Sequence, residues 1–337
     1  MPTNKERNNQ QFHSKIMLFG EYSIIFGSMA LTIPYSHFSG SLQFINKNRS
    51  TNLNFARRSN QQLREYFHQY LQPMGEKGLL PEGFNYKLLE QDIDQGLYFE
   101  SSIPEGYGMG SSGALVAALY HKYMQRVNTA HRPSPLQQNI PSLKQDLVIL
   151  ESWFHGTSSG IDPLICYMQQ PLLINEDQSI TPIDTPCYDL SSDDATFLIN
   201  TGISRKTAPL VDQFMKDCEH PEFKNSILDE YIPFNNNCIQ SLIDTDINKF
   251  TEDVRSLSLF QATYLKRMIP TTLLEDWMYG LSSGKFILKL CGAGGGGFIL
   301  GFTRHYKEVR QRFLDKGMEV IPVYHEKNKN EFDHYRL

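Results

Sequence analysis

Apolar and polar residues alternate along residues 97–103, and this strand-type run leads into a glycine-rich turn at 104–114 and then an apolar, helix-like run over 114–123. The pattern predicts strand, loop and helix in that order. Upstream, residues 15–19, 30–34 and 41–45 read as short strands separated by Gly and Ser, followed by helical spacing through Leu63, Phe67 and Tyr70. The prolines and polar residues of 131–141 predict an exposed loop, and Leu143, Leu147, Leu150 and Phe154 a helix that Gly156 ends. In the second half a strand is expected at 196–200, helices at 208–218, 248–268 and 272–279, and strands at 285–290 and 298–302 on either side of a glycine cluster. Pro182, Pro186 and Ser191-Ser192-Asp193-Asp194 mark a boundary near residue 190. The reading is therefore α+β in two domains, 1–190 and 191–337, with no internal repeat, coiled coil or low-complexity tail.

A chain of 337 residues fits two ordinary domains. Its net charge of -5 gives no broad attraction to nucleic acid or to an anionic membrane, so neither is an expected partner. The start is polar, and the apolar Ile16-Met17-Leu18-Phe19 is cut short by Gly20-Glu21, which fits neither a signal peptide nor a membrane span. A cytosolic protein is expected. Cys166, Cys187, Cys218, Cys238 and Cys291 are widely spaced and form no Cys-x-x-Cys pair, so reduced, structural thiols are expected rather than a zinc site or disulfides.

Candidate chemistry lies in four places. Around Pro104, Gly106, Tyr107, Gly108, Met109, Gly110, Ser111, Ser112 and Gly113, glycines let backbone amides approach phosphate oxygens, and the following helix N-terminus adds oriented donors. An ordinary tight turn is the competing reading. Glu151 and Asp162 place a helical and a loop-borne carboxylate near one another along the chain: the first suits Mg²⁺, the second could take or orient an alcohol proton. The competing reading is a solvated glutamate and a turn aspartate. His155, one helical turn from Glu151, lacks an evident third ligand for a transition metal and is assigned to local hydrogen bonding. The run Lys289-Leu290-Cys291-Gly292-Ala293-Gly294-Gly295-Gly296-Gly297 permits close backbone approach, against the alternative of a flexible loop or bulge. Lys15 opens a buried-looking strand, where a cation can stabilise phosphoryl charge or an ionising hydroxyl.

Together these segments resemble the GHMP kinases, the superfamily of galactokinase, homoserine kinase, mevalonate kinase and phosphomevalonate kinase. Residues 15–27 resemble its first motif, 104–114 its ATP-phosphate loop and 289–298 its third, glycine-rich motif, in the expected order. Glu151, His155-Gly156 and Ser159-Gly160-Ile161-Asp162 are most similar to the mevalonate kinases. The resemblance implies an N-terminal domain like ribosomal protein S5 domain 2, a ferredoxin-like C-terminal domain, and an active site in the cleft between them. It implies ATP and Mg²⁺ as cofactors, Asp162 as the catalytic acid/base assisted by Lys15, and Ser112 with Glu151 at the metal. Glu21, Tyr22, His155, Gly156, Ser159, Gly160, Thr201, Arg205, Thr207, Ala293, Gly294 and Gly295 are the implied substrate-binding positions.

The implied reaction converts mevalonate, a small-molecule alcohol, to 5-phosphomevalonate; a homodimer is left open. Tyr22 stands where the mevalonate kinase pattern has histidine, Met109 and Gly113 where it has leucine and alanine, Thr157-Ser158 where it has Asn-Pro, and Pro163 follows the aspartate. Tyr22, Thr157-Ser158 and Pro163 bear on the acceptor, so phosphomevalonate or a sugar remains an alternative substrate. A nucleotide-binding regulator without catalysis is the alternative of another class.

Overall fold

A computed structural model describes residues 10–45, 52–124, 139–156, 158–184, 193–204 and 208–325. Residues 131–138 of the loop expected over 131–141, and Thr157, Pro186, Cys187, Ser191, Ser192, Arg205 and Thr207, lie outside the described residues. In chain order the elements are β1 (Phe12–Phe19), β2 (Ala30–Phe44), α1 (Leu53–Tyr66), α2 (Gln72–Glu76), α3 (Tyr86–Asp94), β3 (Leu97–Ser101), α4 (Ser111–Tyr123), α5 (Ile140–His155) and α6 (Ile161–Met168). Then follow β4 (Leu172–Ile174), β5 (Ile180–Pro182), β6 (Ala195–Asn200), α7 (Ala208–Asp217), α8 (Pro221–Ser226), α9 (Ile232–Ile243) and α10 (Ile247–Tyr264). The last are α11 (Leu274–Ser283), β7 (Phe286–Leu290), β8 (Phe298–Thr303), α12 (Tyr306–Leu314) and β9 (Val320–His325).

The chain forms two units, one of Met1–Lys15, Pro34–Pro104 and Met109–Gln170, the other of Ile16–Ile33, Glu105–Gly108 and Pro171–Leu337. In the first unit β2 pairs antiparallel with β3, from Gly40 opposite Ser101 to Phe44 opposite Leu97. The two strands expected at 30–34 and 41–45 are thus one strand. Gly40 is not a break: a Cβ there would lie 2.2 Å from the ring of Phe99, so the glycine gives a cross-strand aromatic its room. On the other side of β3, Ser59 of α1 donates to the Phe99 carbonyl at 2.9 Å and accepts its N–H at 3.1 Å, while Asn60 donates to the Leu97 carbonyl at 2.6 Å. Those side chains satisfy backbone groups that a further strand would otherwise take.

Helix α4 is the core of this unit. Ala114, Val116, Ala117, Ala118, Leu119 and Tyr120 are all buried, as expected of a helix apolar on every side, and it packs against α5 and α6. Asn139 caps α5 by accepting the Ser142 N–H at 3.3 Å, and Pro141 occupies its first turn, where a missing N–H costs nothing. Pro141, expected in a loop, therefore begins the helix.

In the second unit Ala30, Leu31 and Thr32 pair with β4, and β4 with β5. Its principal sheet is antiparallel with strand order β7-β8-β6-β9. With α7–α11 between β6 and β7 and α12 between β8 and β9, this is the ferredoxin-like arrangement. Phe197, Leu198, Ile199, Leu288, Leu290, Ile299 and Leu300 are buried in it, and α10 and α11 pack on β7. No helix of the described residues is long and apolar enough to cross a membrane.

Candidate active site

Three helix ends and one strand of the first unit bring the chemistry together. Gly110, at φ 75°, is the N-cap of α4, so Ser111, Ser112 and Gly113 form the helix's first turn rather than a loop before it. Amides of a first turn are not consumed by the helix ladder and suit an anion. Gly160, at φ 71°, plays the same part for α6 and puts Asp162 in its first turn, where the helix dipole favours a carboxylate. The amide of Lys15 in β1 donates to the Met109 carbonyl at 3.0 Å, fixing the strand against the glycine-rich segment that leads into α4. From there the Lys15 ammonium reaches Asp162 Oδ1 at 3.0 Å. The lysine side chain is 7% exposed and the aspartate 34%, so the cation is held inside while the carboxylate can still meet a substrate.

Gly113 sets the distance between α4 and α6. A Cβ at that position would lie 2.7 Å from the Asp162 carbonyl carbon and 2.9 Å from Pro163 N, both backbone atoms. Gly113 and Met109 are buried, whereas Gly106 and Gly108 are exposed and Ser111 and Ser112 half-buried. Among the expected phosphate-loop residues, Gly106, Gly108, Ser111 and Ser112 are therefore at least partly open to solvent, and Gly113 and Met109 pack.

Glu151, on α5, is 3% exposed. Its Oε1 accepts the Ser112 hydroxyl at 3.3 Å and its Oε2 the Ser158 hydroxyl; Ser158 Oγ in turn accepts the Gly160 N–H at 2.9 Å. Burial pushes the Glu151 carboxyl up to about 7, with the negative charge of Asp162 adding to the effect and the two serines and Lys15 opposing it. The Cys166 thiol, close to the Gly110 carbonyl at 3.8 Å, is raised well above its usual value by burial and stays neutral. Cys166, Cys218, Cys238 and Cys291 are all buried, and none of the four is in a disulfide.

Among the described residues no three His, Cys, Asp or Glu side chains converge as a metal cage. The donors that do converge are a carboxylate and hydroxyls, hard oxygens that suit Mg²⁺, an ion that keeps waters and takes phosphate oxygens. His155 ends α5 and Gly156 is its C-cap, at φ 72°. The Ser159 hydroxyl accepts the Ile161 N–H at 3.3 Å, shaping the turn into α6.

Of the other expected positions, Glu21, Tyr22, Thr201, Ala293, Gly294 and Gly295 lie in the second unit. Glu21 and Lys289 form an ion pair of 2.6 Å with side-chain exposures of 1% and 0%. The ammonium also donates to the Leu290 carbonyl at 2.6 Å, and the Glu21 carboxylate takes a bond from the Gly292 backbone. Burial raises the Glu21 carboxyl and the Lys289 charge opposes it. Tyr231 donates to the Glu21 carbonyl at 3.0 Å, and Gln261 joins Tyr231 to the Leu290 amide.

Tyr22 has φ 63°, donates to the Ala293 carbonyl at 2.5 Å and lies 4.5 Å from the Phe214 ring. Thr201 donates to the Gly297 carbonyl at 2.7 Å. The glycine run is packed, not slack: a Cβ on Gly294 would lie 2.3 Å from the Met268 carbonyl oxygen and one on Gly296 2.5 Å from that of Ile203. Tyr107 lies edge-on to Phe298, 5.2 Å away.

Sequence reasoning did not single out Ser158 as a contact of Glu151, nor Lys289 as the partner of Glu21. Ser158 carried a local signal, since a serine two residues before a glycine is suited to a side-chain turn that accepts the glycine N–H. Lys289 and Glu21 are too far apart in the chain for any local pattern.

Residues 78–170 match the family model described as GHMP kinases N terminal domain. The chain carries the GHMP kinase fold. It is similar to the crystal structure of L. major mevalonate kinase in complex with R-mevalonate, with 16% identity and a TM-score of 0.61 over 94% of this chain and 95% of that one. Streptococcus pneumoniae phosphomevalonate kinase in complex with phosphomevalonate and AMPPNP matches at 16% identity and TM-score 0.59, covering 93% and 99%. Lactococcus lactis galactokinase complexed with galactose matches at 14% identity and TM-score 0.57, covering 94% of each chain. A comparison with curated protein sequences found no match.

Proposed function

We propose that the protein is an ATP-dependent phosphotransferase acting on a small-molecule alcohol, and that the alcohol is mevalonate, giving 5-phosphomevalonate and ADP. The observation that carries the reading is the 3.0 Å contact of Lys15 with Asp162, in the same unit as the Ser112–Glu151 pair. Asp162 accepts the hydroxyl proton as the alcohol oxygen bonds to the γ-phosphorus and the bond to the ADP oxygen breaks. Lys15 orients that carboxylate and offsets the negative charge that gathers beside it. Ser111 and Ser112, with the first-turn amides of α4, hold phosphate oxygens. Ser112 and Glu151 would hold Mg²⁺, which when bound neutralises phosphate charge and screens the leaving group.

Mevalonate is favoured by the Glu151 to Asp162 stretch. Tyr22, Ser158 and Pro163, where the chain departs from the mevalonate kinase pattern, keep phosphomevalonate or a sugar as a second acceptor class on the same machinery. ADP release with mevalonate, phosphomevalonate and galactose, each product identified by mass spectrometry, tests both. The specificity constant is expected to be highest for mevalonate. A higher one for phosphomevalonate or galactose overturns the substrate, and ATP binding without ADP release for any alcohol overturns the kinase reading in favour of a nucleotide-binding regulator.

A further inference from the structure

We propose that Ser158 is a positioning residue of the metal site, fixing which oxygen of Glu151 faces the cation; this rests on the reading of Ser112 and Glu151 as metal-binding. The Ser158 oxygen accepts the Gly160 N–H at 2.9 Å on one lone pair, and its hydroxyl donates to Glu151 Oε2. Oε1 makes the looser contact, 3.3 Å from Ser112 Oγ. With Oε2 held by Ser158, Oε1 and the Ser112 oxygen are two neighbouring hard donors that can converge on one cation. Ser158 keeps its own contact when a cation separates the other two.

The same serine connects two roles. Gly160 is the N-cap of α6, and Asp162 stands in the first turn of that helix. One hydroxyl therefore links the metal-binding carboxylate to the turn that aims the proton-accepting carboxylate. Ser158 is also one of the positions where this chain departs from the pattern that it resembles; proline, which that pattern carries there, has no hydroxyl with which to make this contact.

The test is a Mn²⁺ titration of the nucleotide-free protein, read by water-proton relaxation enhancement, on the parent, Ser158→Ala, Ser158→Thr and Glu151→Gln. Partners that orient a metal ligand are typically worth about 10- to 100-fold in affinity, so Ser158→Ala should weaken Mn²⁺ binding about tenfold or more. Ser158→Thr, which keeps the hydroxyl, should restore it, an outcome that a merely space-filling serine would not give. If Glu151→Gln loses Mn²⁺ while Ser158→Ala and Ser158→Thr both bind like the parent, the positioning role is wrong and the metal site stands. If Glu151→Gln also binds like the parent, or the parent binds no Mn²⁺, the metal reading fails and the role of Ser158 with it. Should Ser158→Ala not fold, Ser158→Cys, similar in size but a weak donor, takes its place: parent-like affinity overturns the proposal, and weakened affinity supports it.

Discussion

Replacing Glu151 with glutamine should stabilise the metal-free protein at alkaline pH. The carboxyl is buried and held at about 7, against 4.5 for a free side chain. At 1.36 kcal/mol per pKa unit, ionising it inside the fold costs on the order of 3 kcal/mol relative to the unfolded chain. Below pH 4.5 the group is protonated in both states and the cost is absent. Between 4.5 and about 7 the unfolded chain gives up its proton while the folded chain keeps it, so stability falls as pH rises. Above that window the whole cost is present. Glutamine matches the protonated acid in shape, and the hydroxyls of Ser112 and Ser158 can rotate to serve an amide. Urea unfolding of parent and Glu151→Gln in a chelator, at pH 5 and pH 8, is the assay. The variant should gain up to about 3 kcal/mol on the parent between the two, and saturating Mg²⁺ at pH 8 should narrow the gap by stabilising the parent alone. A parent-to-variant difference that is the same at both pH values would show that Glu151 is not ionised at the expense of the fold, and would refute the reasoning.

Two further substitutions probe the packing within each unit. Gly113→Ala puts a Cβ into the backbone of Asp162 and Pro163, so it should destabilise by about 1–3 kcal/mol and lower turnover by moving Asp162; parent-like thermal stability and rate would show that α4 and α6 separate freely. Lys289→Met leaves the Glu21 carboxylate buried without its partner and should cost about 3–5 kcal/mol at neutral pH in urea unfolding, with Glu21→Gln added in the same chain recovering much of the loss. A double variant no more stable than the single one would show that the pair is not the cause.

Much of the framework was legible because its signals are local. The strands expected at 196–200, 285–290 and 298–302 and the α5 spacing closed by Gly156 all correspond to elements. Where glycine served as punctuation the reading slipped. Gly40 does not separate two strands but makes room for Phe99 within one. Helices α3, α6, α8, α9 and α12 are not among the expected elements, and Asp162, expected on a loop, lies in the first turn of α6. Lys15 and Asp162, adjacent in space at 3.0 Å, were joined by resemblance rather than by spacing. The pairing of Glu21 with Lys289 had neither signal, because burial of a carboxylate is decided by what folds over it.

The central claim is that Asp162, oriented by Lys15, takes the proton of the acceptor alcohol. Single-turnover phosphoryl transfer by Asp162→Asn, with ATP and acceptor affinities measured separately, tests it most directly, because asparagine keeps the shape and cannot accept the proton. The account predicts a rate lower by about 10²- to 10⁴-fold with both affinities nearly unchanged. A folded variant that binds both ligands and transfers phosphate within a few-fold of the parent rate would contradict it and leave Asp162 a structural residue of the α6 turn.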